Sequence, residues 1–167
     1  MAERSIDVQL VHPFIEATIA CLTQMADIRP TCLRAFIKDD PLMHGEITGV
    51  IGLTGGLTGS CVISFPMDLA RFIVARFLRE AEASVTEAMI ADGIGEVANM
   101  VAGGAKSHFA AGGLRFAISI PTLIIGAQAC LYNPGGTASF ACEFALTPTA
   151  SDTFLVEVAT RSVRRMV

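Results

Sequence analysis

Asp92, Glu96 and Asn99 stand four and three residues apart in DGIGEVANMV, inside the longest helical pattern of the chain. At about 100° per residue, Ile90, Ile94, Val97 and Val101 fall on one face, which must be the core side. Asp92, Glu96, Asn99, Gly103 and Lys106 step along a second face, with Ala91, Gly95 and Ala102 beside it. Small residues there let another surface approach the helix backbone closely. Side chains three apart leave a helix about 60° apart and one turn in height, so Glu96 and Asn99 can enter one partner site together. An amide both accepts and donates hydrogen bonds without titrating, and the neighbouring acid adds charge. Spacing alone does not separate such a pair from an ordinary solvated face.

Other chemistry finds little support. His12, His44 and His108 are scattered and have no cysteine or carboxylate cluster beside them, so no metal site is expected. GGAKS (103–107) lacks the glycine before the lysine of a phosphate loop, and no strand precedes it. The glycines from Gly52 to Gly59 read as hairpin punctuation. Ser64, Ser119 and the cysteines have no His/Asp arrangement that would activate a nucleophile. Cys21, Cys32, Cys61, Cys130 and Cys142 are odd in number and widely spaced, and read as reduced core thiols of a cytoplasmic protein. Arg161, Arg164 and Arg165 form a basic end that suits an acidic surface or simply solvent.

The elements that must position the acid and amide follow from pattern. Pro13 reads as the first residue of a helix running to about Ala26. Thr31 to Lys38 reads as a strand, and two β-rich runs around Gly55-Gly56 as a hairpin. Met67 to Arg79 has amphipathic helical spacing, followed by a linker over 80–83. Ser84 and Glu87 have the types of a capping box, starting the long helix near Val85; Gly112-Gly113 ends it after Ala110 or Ala111. Strands are expected near Ser119–Tyr132, Ala138–Leu146 and Phe154–Thr160, with NPGG (133–136) turning between the first two. Helix, three strands and helix, then helix and three strands, is a weak repeat of shape. It predicts an α+β fold, mainly antiparallel, with the helices on one side.

The 167 residues suggest one domain, 1–167. Apolar residues make up 52% and charged ones 17%, against roughly 25% charged on average, and the surplus suggests a buried subunit interface. No run approaches the ~18 apolar residues of a membrane helix, and MAERSIDVQL has no apolar signal core. The net charge of −4 argues against nucleic acid as a partner.

The span DGIGEVANMVAGGAKSHFAAGGLRFAISIPTLIIG resembles the signature of the CheC/CheX family of chemotaxis phosphatases: Asp or Ser, three residues, Glu, two residues, Asn, twenty-one residues, Pro. Asp92, Glu96, Asn99 and Pro121 stand at those spacings. HPFIEAT and GLTGSCVISFP also resemble the CheX branch. The resemblance implies hydrolysis of the aspartyl phosphate of a CheY-like receiver domain. It implies that Glu96 contacts the receiver's lysine, Asn99 orients the attacking water, Asp92 supports them and Pro121 shapes the neighbouring loop. No cofactor of its own is implied, since Mg²⁺ comes with the receiver; a homodimer joined sheet edge to sheet edge is. The CheC branch carries two Glu-Asn sites, but the residue three after Glu16 is Ile19, so one site is expected. His12 stands where the family often has Asn. The other function compatible with these residues is a non-catalytic binding or scaffold module for a phosphorylated receiver.

Overall fold

A computed structural model describes residues 7–133, 137–147 and 152–161. In chain order it has α1 (Val8–Ala26), β1 (Thr31–Ile37), β2 (Ile47–Gly55), β3 (Gly59–Phe65), α2 (Met67–Leu78), α3 (Glu87–Ala111), β4 (Phe116–Ile118), β5 (Thr122–Ile125), β6 (Ala138–Ala145) and β7 (Thr153–Thr160). Two helix starts differ from the sequence expectation. Asp7 caps α1 by accepting from the Gln9 and Leu10 amides, so the helix begins before Pro13, which sits inside it and withholds one backbone donor. Glu82–Ser84 is spent in a 3₁₀ turn, and Thr86, not Ser84, caps α3 by accepting from the Met89 amide at 3.2 Å. At the other end Gly113 takes φ 89°, and the Leu114 amide reaches back to the Phe109 carbonyl at 3.0 Å.

All strand pairs are antiparallel and form one seven-stranded sheet in the order β1-β6-β7-β3-β2-β4, with β5 also paired to β2. The order is a palindrome about the β3/β7 seam. Each half contributes a hairpin, β2–β3 or β6–β7, and each half's leading strand crosses to the other half's hairpin: β1 to β6, β4 and β5 to β2. This is the expected repeat of shape, with its first strands exchanged. Of the strand expected over Ser119–Tyr132 only β5 forms; β4 lies before that span and was not expected, and the two are separated at Ser119-Ile120-Pro121, where Pro121 has no amide to give to the ladder. Residues 126–133 leave the sheet, with one bridge between Leu42 and Cys130. The NPGG turn falls largely outside the described residues, as do Arg164 and Arg165.

The helices share one face of the sheet and one core with it. Phe154 stacks between Phe65 and Phe144, at 4.6 and 5.2 Å between ring centroids, and the buried Phe14 of α1 meets Phe109 of α3 at 6.1 Å. Ile90, Ile94, Val97 and Val101 of α3 are buried, as their spacing requires. Two glycines set how close α3 can lie. A Cβ at Gly49 of β2 would stand 3.0 Å from the Ala98 Cβ, and one at Gly93 would stand 2.6 Å from a Val74 methyl of α2. Gly93→Ala is expected to lower stability. Overpacking costs about 1–3 kcal/mol, and better helix propensity returns at most about 1. A lower urea midpoint at unchanged slope checks this; a raised midpoint would contradict the packing argument.

The five cysteines are free thiols. Cys21, Cys61 and Cys142 lie in the core as expected, but Cys32 is half-buried on the edge strand β1 and Cys130 is exposed. Edge and loop positions lack a second layer to cover them.

Candidate functional site

Asp92, Glu96 and Asn99 all lie on the exposed stripe of α3, and the structure brings Pro121 to the same place. A groove of about 520 Å³ runs between that stripe and the broken β4–β5 strand, lined by these four residues with Gly95, Ile118, Ser119, Ile120 and Leu123. The side of α3 away from the core therefore forms one wall, and the sheet edge forms the other. Gly95 explains how they meet: a Cβ there would stand 3.2 Å from a Leu123 methyl and 3.7 Å from the Pro121 ring. The small residues beside the stripe thus admit the chain's own edge strand rather than an incoming surface, which corrects the sequence reading. Ala102 is fully buried, and only Gly103 faces open space.

Among the described residues, no side-chain hydrogen bond or ion pair engages Asp92, Glu96 or Asn99. An acid and an amide one turn apart are thus free to bind an incoming cation and an incoming water. Beneath them, the Cys21 thiol lies 4.0 Å from the Val97 carbonyl. Burial, and then the charge of Glu96, push this thiol up to about 12. It stays protonated and takes no part as a nucleophile.

The edge strand is held over the groove by Ser119. Its amide donates to the Gly52 carbonyl at 2.9 Å, its hydroxyl accepts from the Gly52 amide at 2.8 Å, and the same hydroxyl donates to the Ile120 carbonyl at 2.8 Å. Sequence reading weighed Ser119 only as a nucleophile and did not find this role. The adjacent proline was the available signal, since it cannot donate to the ladder and is confined to strand starts, edges and bulges.

His12 and His108 come together across α1 and α3, at 6.5 Å between rings, with Glu16 3.7 Å from His12. Among the described residues no group of three or more His, Cys, Asp or Glu side chains is placed to hold a metal ion. Nor is any helix among them long and apolar enough to cross a membrane.

A second, polar cavity of about 210 Å³ lies away from the groove, lined in part by Lys38, Asp40, Ser139 and Glu157. Lys38 Nζ stands 2.7 Å from the Asp40 carbonyl and 3.5 Å from Glu157 Oε2, and both side chains are buried. Burial pushes the Glu157 carboxyl up, against the pull of Lys38. The sequence signal was a lone acid in the apolar strand TFLVEVAT.

The family model for the chemotaxis phosphatase CheX matches residues 47–145, which hold the whole groove. The CheY-P phosphatase CheX of Thermotoga maritima is 27% identical over 122 residues, 72% of this chain and 78% of that protein. Among solved structures, the chemotaxis protein CheX from Desulfovibrio desulfuricans is similar with a TM-score of 0.81 at 26% identity, covering 92% of this chain and 99% of that one. The CheX–CheY–BeF3–Mg²⁺ complex from Borrelia burgdorferi has the same fold, with a TM-score of 0.75 at 24% identity over 92% of this chain and 98% of that one.

Proposed function

The chain belongs to the CheX family of chemotaxis phosphatases, and from that premise we propose that it hydrolyses the aspartyl phosphate of a CheY-like receiver domain. One observation carries the reading: Asp92, Glu96, Asn99 and Pro121, scattered over thirty positions of sequence, border a single open groove. The name of the Thermotoga maritima relative, a CheY-P phosphatase, supports the substrate class.

In this reading Glu96 pairs with the receiver's active-site lysine and so sets the docking register. Asn99 accepts a hydrogen bond from a water and holds it in line with phosphorus. Asp92 supports the pair from one turn earlier, and Pro121 fixes the opposite wall. Phosphoryl transfer passes through a loose transition state and needs mainly positioning and charge stabilisation. The receiver supplies Mg²⁺ and the lysine for the charge, so this chain needs no metal of its own. An amide suits the remaining task because it does not titrate.

The test is loss of label from a panel of phosphorylated receivers, with and without the protein. Accelerated loss from at least one receiver supports catalysis. Saturable binding with unchanged decay would instead make the chain a binding module or scaffold.

We also assign it to the cytoplasm, where receiver domains act, and to a homodimer. Among the described residues no strand pairs with the outer side of the edge strand β1, where Leu33 is 45% exposed, and pairing it across a two-fold axis removes an otherwise adhesive edge. Light scattering at micromolar concentration is expected to give twice the 17.6 kDa chain mass, and a monomer mass would contradict it.

A further inference from the structure

Ile120 is 85% exposed, the most exposed of the large apolar side chains among the described residues, and it stands on the rim of the groove that holds Glu96 and Asn99. A single exposed isoleucine on a surface means little. This one is different because its backbone is pinned from both sides. Ser119 is tied to Gly52 of β2 by two hydrogen bonds, its hydroxyl makes a third to the Ile120 carbonyl, and the Pro121 ring restricts the backbone of Ile120 before it. The fold has broken an edge strand and fixed the break, and the result is a β-branched side chain held out into water. A stiff side chain on a fixed backbone loses little conformational freedom when a partner covers it.

Resting on the receiver-phosphatase reading, we infer that Ser119-Ile120-Pro121 is a docking lip. Ile120 is the apolar anchor that seats against the receiver beside the phosphorylated aspartate, and Ser119 is the positioning residue that aims it. The partner is the receiver domain itself, because the lip is continuous with the wall facing Glu96 and Asn99. Covering Ile120 also closes the groove to bulk water, so the water held by Asn99 is the one that meets phosphorus. The lip therefore sets affinity and register, while the polar stripe of α3 acts on the phosphoryl group. An apolar anchor ringed by polar contacts is the usual composition of an interface centre.

The experiment titrates a labelled, beryllofluoride-activated receiver with the protein, alongside steady-state dephosphorylation. Ile120→Ser is expected to weaken binding about tenfold and to place its kinetic loss in KM rather than kcat, with Ile120→Val recovering most of it. Ser119→Ala should move KM in the same direction and Ser119→Thr, which keeps the hydroxyl, should restore it. A merely structural serine would shift the melting temperature without that split. Binding by Ile120→Ser within twofold of the parent overturns the lip. The two readings fail separately. A chain that dephosphorylates the receiver but ignores Ile120→Ser loses the lip. A chain that binds in an Ile120-dependent way without turnover keeps the lip and loses catalysis. Absence of both binding and turnover overturns both.

Discussion

Asn99→Ala is expected to lower the single-turnover rate of receiver dephosphorylation on the order of 10²-fold at saturating protein, with folding intact and binding largely spared. The expectation is geometric. Asn99 is exposed and makes no side-chain hydrogen bond among the described residues, whereas the neighbouring Val97, Ala98 and Val101 are buried. Truncation therefore leaves packing untouched and removes only the group assigned to hold water in line. A factor of 10² corresponds to about 2.7 kcal/mol of barrier, within the range a lost positioning contact supplies. Asn99→Asp is the sharper variant, because it keeps the size and sets a negative charge against an anionic phosphoryl group. Working at saturation separates rate from affinity. If Asn99→Ala then decays the receiver as fast as the parent protein, water positioning belongs elsewhere and the binding-module reading gains.

Glu96→Ala should act on docking instead, costing on the order of 2–5 kcal/mol of productive association. Glu96 is solvated in the free protein and has no internal partner among the described residues, so the cost arises only in the complex. There the receiver's lysine would be left desolvated and unpaired. The measurement is a cycle: Glu96→Ala, removal of the receiver lysine, and both together. The double variant is expected to lose much less than the two single losses combined. Additive losses would show that the two groups do not meet.

Much of this site was legible in the sequence because α3 is a long, strongly periodic helix. Its apolar face, polar stripe and glycine stop are all local signals that a single helix carries by itself. The spacing of Asp92, Glu96, Asn99 and Pro121 was enough to point to a family. What escaped depended on residues distant in sequence. The role of Ser119 becomes visible only when Gly52 is placed beside it. Gly95 looked like an opening for a partner until Leu123 and Pro121 filled the space above it. The start of α3 was misread by two residues because Ser84 and Thr86 are both good caps, and the 3₁₀ turn at Glu82–Ser84 decides between them. Lys38 follows the end of β1 and Glu157 lies midway along β7, and they meet only through the sheet order.

The exchange of leading strands governs how the molecule can be made. The β2–β3 hairpin finds its outer neighbours, β4 and β5, only after α3 has been synthesised. Strand β1 waits longer still, since Thr31 pairs with Ala145 near the opposite end of the chain. Neither half can complete a sheet alone, so each half's hairpin gains its outer strand only when the two halves meet. Closing such distant pairs costs loop entropy before any contact compensates it, which makes folding slow and late. The groove, whose two walls come from α3 and the strand that crosses to the first half's hairpin, forms only when that crossing is made. A chain in which the two halves have not yet interlocked thus presents no competent site to a receiver.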